Sequence, residues 1–363
     1  MSSSVDNSAI DVDRKRQLAE KYRLERSKRL NPKGNAQYIA VEGAFADFSR
    51  DPYVKVPANR LPSTDSVDVL IVGGGIAGLL TAVELRRAGV ASFQIIEKGA
   101  DFGGTWYWNR YPGIACDCES LIYIPLLEEL GYTPSVKYAP GEEIGAHLCT
   151  IGEEFDLYAN AHFQTQVTAI RWSAPDERWM VSTDRGDEVR ARFIVLGSGP
   201  LHRPKLPGIP GIQEFKGRQF HSSRWDYEYT GGGPRGGLDK LRDKSVAVVG
   251  TGSTGVQIVP FVARDAQHLY VVQRTPSIIL ISAVNTSALA FFGSDASAIM
   301  FAPADSAANI IRAVTSTGTS VISPASMSCS STCRTMPKLK CSSASRQRSM
   351  PITTGASRMT SRW

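Results

Sequence analysis

The 363-residue sequence has no acidic side chain after Asp305 and no Glu at all in residues 278–363. Cysteine is scarce. The six fall as Cys116, Cys118 and Cys149, then Cys329, Cys333 and Cys341. That spacing forms neither a disulfide framework nor the paired CxxC arms of a zinc site, so no metal is expected. An apolar N-terminal segment is missing too: MSSSVDNSAIDVDRKR contains no hydrophobic core of a secretory signal. The longest apolar stretch, residues 278–304, is interrupted by Ser, Asn, Thr and Asp and is too broken for a membrane span. A reducing cytoplasmic compartment is the expectation. The formal charge of +6 suggests a polyanionic partner until the chain is divided. Residues 1–277 hold 33 Lys+Arg and 33 Asp+Glu, whereas residues 278–363 hold 8 and 2. The body is electroneutral, so it has no basic stripe for nucleic acid.

What is present divides into four parts. Residues 1–62 read as an arm. Residues 13–29 are charged and rich in helix formers, Asn31-Pro32-Lys33-Gly34 stops that helix, and Pro52, Pro57 and Pro62 keep the rest extended. A surface helix lying on the next domain is the plain expectation. Residues 63–200 read as an α/β domain. A continuous apolar strand at 67–72 suits a parallel strand buried on both faces. Helical spacing follows in Leu79, Leu80, Val83, Glu84 and Arg87, with Gly89 placed to end the helix. Further strands are expected at 93–96, 172–183 and 189–196. Residues 201–277 start the cycle again, with strands at 244–249 and 268–272 around a helix at 254–263. Two Rossmann-like dinucleotide-binding domains are the natural α/β fold, the second incomplete. Residues 278–363 do not continue the pattern: they contain 18 Ser, 9 Thr and only 3 Gly. Residues 323–363 show no periodicity, and such a composition buries too little apolar surface to offset chain entropy.

Two glycine loops carry the chemistry. Gly73-Gly74-Gly75-Ile76-Ala77-Gly78 fits GxGxxG between a strand and a helix. Gly73 permits the tight turn, Gly75 the close approach of a pyrophosphate, and Gly78 close helix–strand packing. Glu97 ends the next strand, where a carboxylate can bind ribose hydroxyls. Gly250-Thr251-Gly252-Ser253-Thr254-Gly255 is the second loop, and its following strand ends in Gln273-Arg274-Thr275 instead of an acid. Arg274 would attract a 2′-phosphate that a carboxylate would repel, which selects NADP over NAD; a solvated strand-end arginine is the plainer alternative. An acid at one loop and an arginine at the other suggest FAD and NADPH, hence a flavoprotein reductase or oxygenase.

Two longer motifs narrow this. Residues 103–117, Gly103-Gly104-Thr105-Trp106-Tyr107-Trp108-Asn109-Arg110-Tyr111-Pro112-Gly113-Ile114-Ala115-Cys116-Asp117, fit GGxWxxxxYPGxxxD. Residues 215–226 fit FxGxxxHxxxWD through Phe215, Gly217, His221, Trp225 and Asp226. With the glycine loops, residues 15–277 resemble the Baeyer–Villiger monooxygenases. The resemblance implies an enzyme in which NADPH reduces FAD and one atom of O2 is inserted beside a ketone, giving an ester or lactone. It also implies that Asp117 lies near the flavin and holds an active-site arginine and the nicotinamide in place. A loop or helix-capping carboxylate is the structural alternative for Asp117. By the same resemblance Trp106, Tyr107 and Trp108 wall the flavin, and His221 and Trp225 serve domain rearrangement, though a satisfied buried His and a plain aromatic core would look alike in sequence. Residues 197–200 match the family's crossing between domains.

The resemblance stops at residue 277. Family members are longer and place an active-site arginine about ten residues after a QRTP match like Gln273-Arg274-Thr275-Pro276. Here no arginine occurs between Arg274 and Arg312. The change in composition is that expected of translation in another frame or through an intron. The arm and the YWNRYPG stretch resemble enzymes that act on bulky terpenoid or steroid ketones in secondary metabolism. Three other readings stay open: a flavin-containing or N-hydroxylating monooxygenase, a flavin disulfide reductase (for which Cys116 and Cys118 are too closely spaced), and a non-catalytic dinucleotide-binding remnant. Nothing in the pattern speaks to oligomeric state.

Overall fold

The computed structural model describes residues 7–274, together with the short strands Ile279–Ile281, Ala288–Ala290, Ala298–Ala302 and Ser320–Ile322. Helix α1 (Asn7–Arg29) is longer than its charged core suggests. Among its described side chains, residues 12–28, all are exposed but Glu25. Its surface carries the short-range pairs Arg23–Glu20 and Lys28–Glu25 in place of packing. The rest of the arm does touch the body: Tyr38–Ile39 pairs antiparallel with Leu206–Pro207, and Phe45 packs on Leu206 and Ile212.

The first unit is a six-stranded sheet. Its strands are β1 (Thr64–Val72), β2 (Phe93–Ile96), β3 (Ala161–His162), β4 (Val167–Ser173), β5 (Arg178–Thr183) and β6 (Glu188–Leu196). The order is β3-β2-β1-β6-β5-β4, parallel across the first four and antiparallel at the β6-β5-β4 edge. Helix α2 (Ile76–Arg87) crosses from β1 to β2 and buries Leu79, Ala82 and Val83. Gly89 ends it with φ +75°, and the bonds from the Val90 N–H to the Leu85 carbonyl and from the Gly89 N–H to the Arg86 carbonyl form a Schellman motif. Helix α3 (Gly141–Glu154) packs Ile144, Leu148 and Ile151 into the same core.

Residues 172–183 correct the sequence reading. They are not one strand but the turn and second arm of the β4–β5 hairpin, with Trp172 opposite Trp179. The turn is local chemistry: the Ser173 hydroxyl donates to Asp176 at 2.6 Å, Pro175 favours the bend, and Glu177 takes φ +49°.

The second unit contains β7 (Gln219–His221), β8 (Ser245–Val249), α4 (Ser253–Asp265), β9 (His268–Gln273), β10 (Ala298–Ala302) and β11 (Ser320–Ile322). Its order is β11-β9-β8-β10-β7. Only β8 and β9 are parallel; β10 and β11, drawn from the Ser/Thr-rich region, join antiparallel. A dinucleotide-binding half would continue with parallel strands there. Residues 323–363 lie outside the described residues. One hydrophobic cluster runs through both units, from Ile71, Leu79 and Ile95 to Trp225, Val246 and Ile258. Among the described residues no helix is long and apolar enough to cross a membrane.

Candidate active site

The two glycine loops lie at the carboxyl ends of β1 and β8, and each opens a helix. In the first, Gly73 takes φ +108°. A Cβ on Gly78 would stand 1.9 Å from the Gly73 carbonyl oxygen, so Gly78 is required by helix–strand packing. Gly75 differs. Its backbone is extended, and a Cβ there would find its nearest atom, Gly104 Cα, at 3.4 Å. Neither strain nor protein contact demands glycine at position 75, so the space in front of it is left for a ligand. No side chain caps α2, and its first N–H groups are open to an anion.

A cavity of about 600 Å³ opens at this loop. Gly73, Gly75, Glu97, Gly104, Thr105 and Trp106 line it on one side, and Gly197, Ser198, Gly199 and His202 on the other. Gly104, at φ +54°, lies so near Gly75 that a Cβ would be 2.7 Å from its Cα. The Gly103 N–H donates to the Gly74 carbonyl at 3.0 Å. The GGxW motif is therefore the second wall of the first glycine loop. Glu97 is buried, and its carboxylate accepts from the N–H groups of Gly74 and Gly99, both at 2.5 Å. Burial raises its pKa and these two N–H groups pull it back down. Each oxygen keeps a lone pair for a further donor.

The three aromatics of the motif separate. Trp106 and Trp108 line the cavity, and the Trp106 indole N–H donates to the Tyr123 hydroxyl at 3.0 Å. Tyr107 turns away, and its hydroxyl donates to Asp51 of the arm at 2.6 Å. Arg110 stacks between Tyr53 and Tyr107, 4.2 and 4.8 Å from their ring centres, so the arm forms the back of the cavity wall.

The second half of the same motif reaches the second loop. Gly250 takes φ +109°, and a Cβ on Gly255 would be 2.5 Å from the Gly250 oxygen. Gly252 begins α4 with no side-chain cap. Against this helix the Tyr111 hydroxyl donates to Gln257 Oε1 at 2.8 Å and interacts with Thr254. Gln257 Nε2 donates to the Ala115 carbonyl at 3.0 Å, and Ser253 Oγ donates to Asp117 Oδ2 at 3.2 Å. Gly113 packs on Phe261, where a Cβ would meet the ring at 2.2 Å. Asp117 thus sits at the N-terminus of α4, outside the lining of the first cavity, and it does not cap a helix of its own. Cys116 is buried and its thiol is pushed up to about 11 by burial; Cys118 is exposed and donates to Asp117.

Arg274 is exposed at the end of β9, and its guanidinium is held by Gln37 Oε1 and the Tyr38 hydroxyl of the arm. Thr275 lies outside the described residues. In the linker motif, Phe215 packs on Val249 and Val272, and Gly217 lies in the bend before β7. The half-buried His221 accepts the Ser223 N–H at Nδ1, 3.2 Å, so the ring is neutral; burial and the charge of Arg224 push its pKa down to about 3. Trp225 is core, 1% exposed, with its indole N–H on Thr230 at 3.0 Å. Asp226 caps the turn of helix at Tyr227–Thr230 and pairs with Arg218.

Sequence reasoning missed Asp51, Tyr53, Arg224 and Gln257. The last was findable: it lies two residues past Gly255, one turn into α4 from Ser253, on the face presented to the first unit. Asp51 and Tyr53 join segments more than 50 residues away and leave no local signal, and Arg224, though inside the 215–226 motif, gives no sign there of its bonds to Arg50 and His202.

The chain is similar to several known proteins. Residues 70–282 match the pyridine nucleotide-disulphide oxidoreductase family. A Baeyer–Villiger monooxygenase of Streptomyces coelicolor is 51% identical over 278 residues, 77% of this chain and 46% of that protein. A polycyclic ketone monooxygenase from the fungus Thermothelomyces thermophila aligns with TM-score 0.68 and 38% identity, covering 73% of this chain and 45% of the other. A complex of OTEMO with FAD and NADP aligns with TM-score 0.53 and 38% identity over 58% of this chain and 39% of the other. The chain spans about half the length of the relatives it matches.

Proposed function

We propose that this chain, which belongs to the pyridine nucleotide-disulphide oxidoreductase family and is a relative of the Baeyer–Villiger monooxygenases, is the dinucleotide-handling part of an FAD- and NADPH-dependent ketone monooxygenase. The observation that carries the reading is the strap formed by residues 103–117. It closes the first glycine loop at Gly104 and bonds to the second at Ser253 and Gln257. One element thereby links two uncapped helix N-termini, and hydride transfer between two bound dinucleotides requires that they be held near each other.

When bound, FAD supplies the redox chemistry, taking a hydride from NADPH and passing the electrons to O2. The protein's part is to bind and orient. Gly73, Gly75 and Gly78 with the first turn of α2 hold the FAD pyrophosphate, and Glu97 accepts the ribose hydroxyls through its remaining lone pairs. Thr105, Trp106 and Trp108 wall the cofactor and exclude water. Gly250, Gly252, Ser253, Thr254 and Gly255 hold the NADPH pyrophosphate, with Arg274 and Thr275 on the 2′-phosphate. Asp117 orients the junction between the two cofactors. Phe215, Gly217, His221, Trp225 and Asp226 form the link about which the second unit is set. The substrate class is a bulky ketone of secondary metabolism, oxidised in the cytoplasm to an ester or lactone. The relative from Thermothelomyces, named for polycyclic ketones, supports that size class.

One observation favours a second reading, a dinucleotide-binding remnant without oxygenation: residues 275–311 contain no arginine to stabilise an anion formed on oxygen. The test separates the two. Purified chain is loaded with FAD and mixed with NADPH without air, then exposed to air with a polycyclic ketone. Bleaching of the flavin followed by product carrying one added oxygen supports the monooxygenase. Bleaching without product supports the remnant, and absence of bound FAD overturns both.

A further inference from the structure

Arg224 is a charged side chain only 4% exposed, and among the described residues it makes no direct ion pair, the Asp51 carboxylate acting on it only through space. A buried guanidinium without a direct ion pair is destabilising unless its donors are used elsewhere. They are used on carbonyls from three segments. Nε donates to Arg50 of the arm at 3.1 Å, Nη1 to Ser223 of its own motif at 2.8 Å, and Nη2 to His202 of the crossing at 3.2 Å. The plane of the group lies over the Trp108 ring, with Cζ 4.0 Å from the ring centre. Trp108 and His202 both line the first cavity, whereas Arg224 does not. Lys98 Nζ stands 5.8 Å from the centre of the same Trp108 ring.

We propose that Arg224 is a positioning residue of the first cavity. It holds Trp108 and His202 from behind and so connects the linker motif to the wall against which the dinucleotide rests. This rests on the FAD reading above. The guanidinium suits the task because it is flat, stacks on an indole and presents donors in a fixed fork. A lysine at 224 has three donors on a point charge and cannot stack and reach three carbonyls together. The burial that makes the charge unfavourable also explains why its pKa is pulled down to about 10, toward but not into the physiological range.

The test is FAD titration into the flavin-free 363-residue chain, read by quenching of flavin fluorescence, with NADP+ titration as the control. Arg224→Met should weaken FAD about ten-fold or more, in the range of a lost cation–π contact with its hydrogen bonds. Arg224→Lys should rescue little of that loss. NADP+ affinity should stay within about two-fold of wild type, because Trp108 and His202 line the cavity at the first loop. Trp108→Phe supplies an independent check in case Arg224→Met folds poorly: the FAD losses of Trp108→Phe and Arg224→Met should be strongly non-additive in the double variant. Additive losses, equal weakening of both nucleotides, full rescue by lysine or unchanged FAD affinity would each overturn the positioning role. Failure of the wild-type chain to bind FAD would instead overturn the reading on which the role rests.

Discussion

Gly75 and Gly78 differ by three residues in the same loop, and the structure predicts opposite consequences for adding one methyl group. At Gly78 the new Cβ would stand 1.9 Å from the Gly73 oxygen, far inside van der Waals contact. Relief needs α2 to move off β1, and this breaks the packing of Leu79, Ala82 and Val83. Gly78→Ala should therefore destabilise the flavin-free chain by about 3 kcal/mol or more, in the range of severe overpacking. At Gly75 the new Cβ meets only Gly104 Cα at 3.4 Å, an ordinary contact, and the backbone is already extended. Gly75→Ala should change the stability of the flavin-free chain by less than about 1 kcal/mol, the difference between Gly and Ala at a helix N-cap. Its effect should fall on the ligand. A methyl group pushes a phosphate away from the first turn and lengthens one or two charge-assisted N–H bonds worth about 1.5 kcal/mol or more each, so FAD affinity should fall roughly ten- to hundred-fold. Gly75→Trp should abolish FAD binding and leave a colourless protein. Thermal melts of the flavin-free variants and fluorescence titration with FAD measure the two effects separately. If Gly75→Ala bound FAD like wild type, or melted as low as Gly78→Ala, the assignment of the space before Gly75 to a pyrophosphate would be refuted.

Arg274→Ala should weaken NADP+ by about 1.5–3 kcal/mol and leave NAD+ nearly unchanged, since only the former has a 2′-phosphate; equal losses in parallel titrations would make Arg274 structural. Gln257→Leu removes the bonds to Tyr111 and Ala115. It should slow anaerobic flavin bleaching by NADPH about ten-fold or more while both nucleotides still bind, which stopped-flow spectroscopy can decide. Asp187 is fully buried, accepts two bonds from Arg60 at 2.6 Å each and one from Thr183, and its carboxyl is held far below the usual range by Arg60 first. A depressed folded pKa stabilises above the unfolded value of about 3.9, and the effect fades only as the pH falls toward the folded value. Asp187→Asn should lower stability by about 3 kcal/mol at neutral pH and by progressively less below pH ~4, a convergence visible in denaturant melts. Under the remnant reading, the 363-residue chain loaded with FAD and given NADPH, air and a polycyclic ketone yields little or no ester, because residues 275–311 contain no arginine; robust ester formation would refute that reading in favour of the monooxygenase.

The parts of this molecule legible in its sequence are those whose cause is local. Both glycine loops, the end of α2 at Gly89 and the acid after β2 follow from turn geometry and strand–helix alternation within about 30 residues. The hairpin at residues 174–177 escaped because Trp172 and Trp179, on facing strands, read as one apolar segment. Arg60–Asp187 and Tyr107–Asp51 are separated by 127 and 56 positions, and nothing near either residue announces its partner. Arg274 directly follows the strand His268–Gln273, as its sequence position implied, but nothing local announced that Gln37 of the arm would hold it. The antiparallel strands β10 and β11 lie in the Ser/Thr-rich region after residue 277, which does not continue the strand–helix alternation and so gave no expectation of them.

The strap at residues 103–117 also explains how the two nucleotide sites can be held together and still change their relation. Its contacts with the second unit are mostly polar: Gly113 N–H to the Pro234 carbonyl, Tyr111 to Gln257, Gln257 to Ala115 and Ser253 to Asp117. Each can be exchanged for water at a net cost of about 1 kcal/mol. The apolar cluster shared by the units is different. Opening it would expose Trp225, Ile258 and Val248, all buried, at about 2 kcal/mol or more per side chain. A rearrangement between the cradles is therefore far less unfavourable if the core stays closed and the strap exchanges its bonds. The exception is Gly113 against Phe261, a contact without polar freedom that fixes the point about which such an exchange can occur. The changeable part of the junction is therefore Tyr111, Asp117, Ser253 and Gln257, the residues that join the strap to the second glycine loop and its helix.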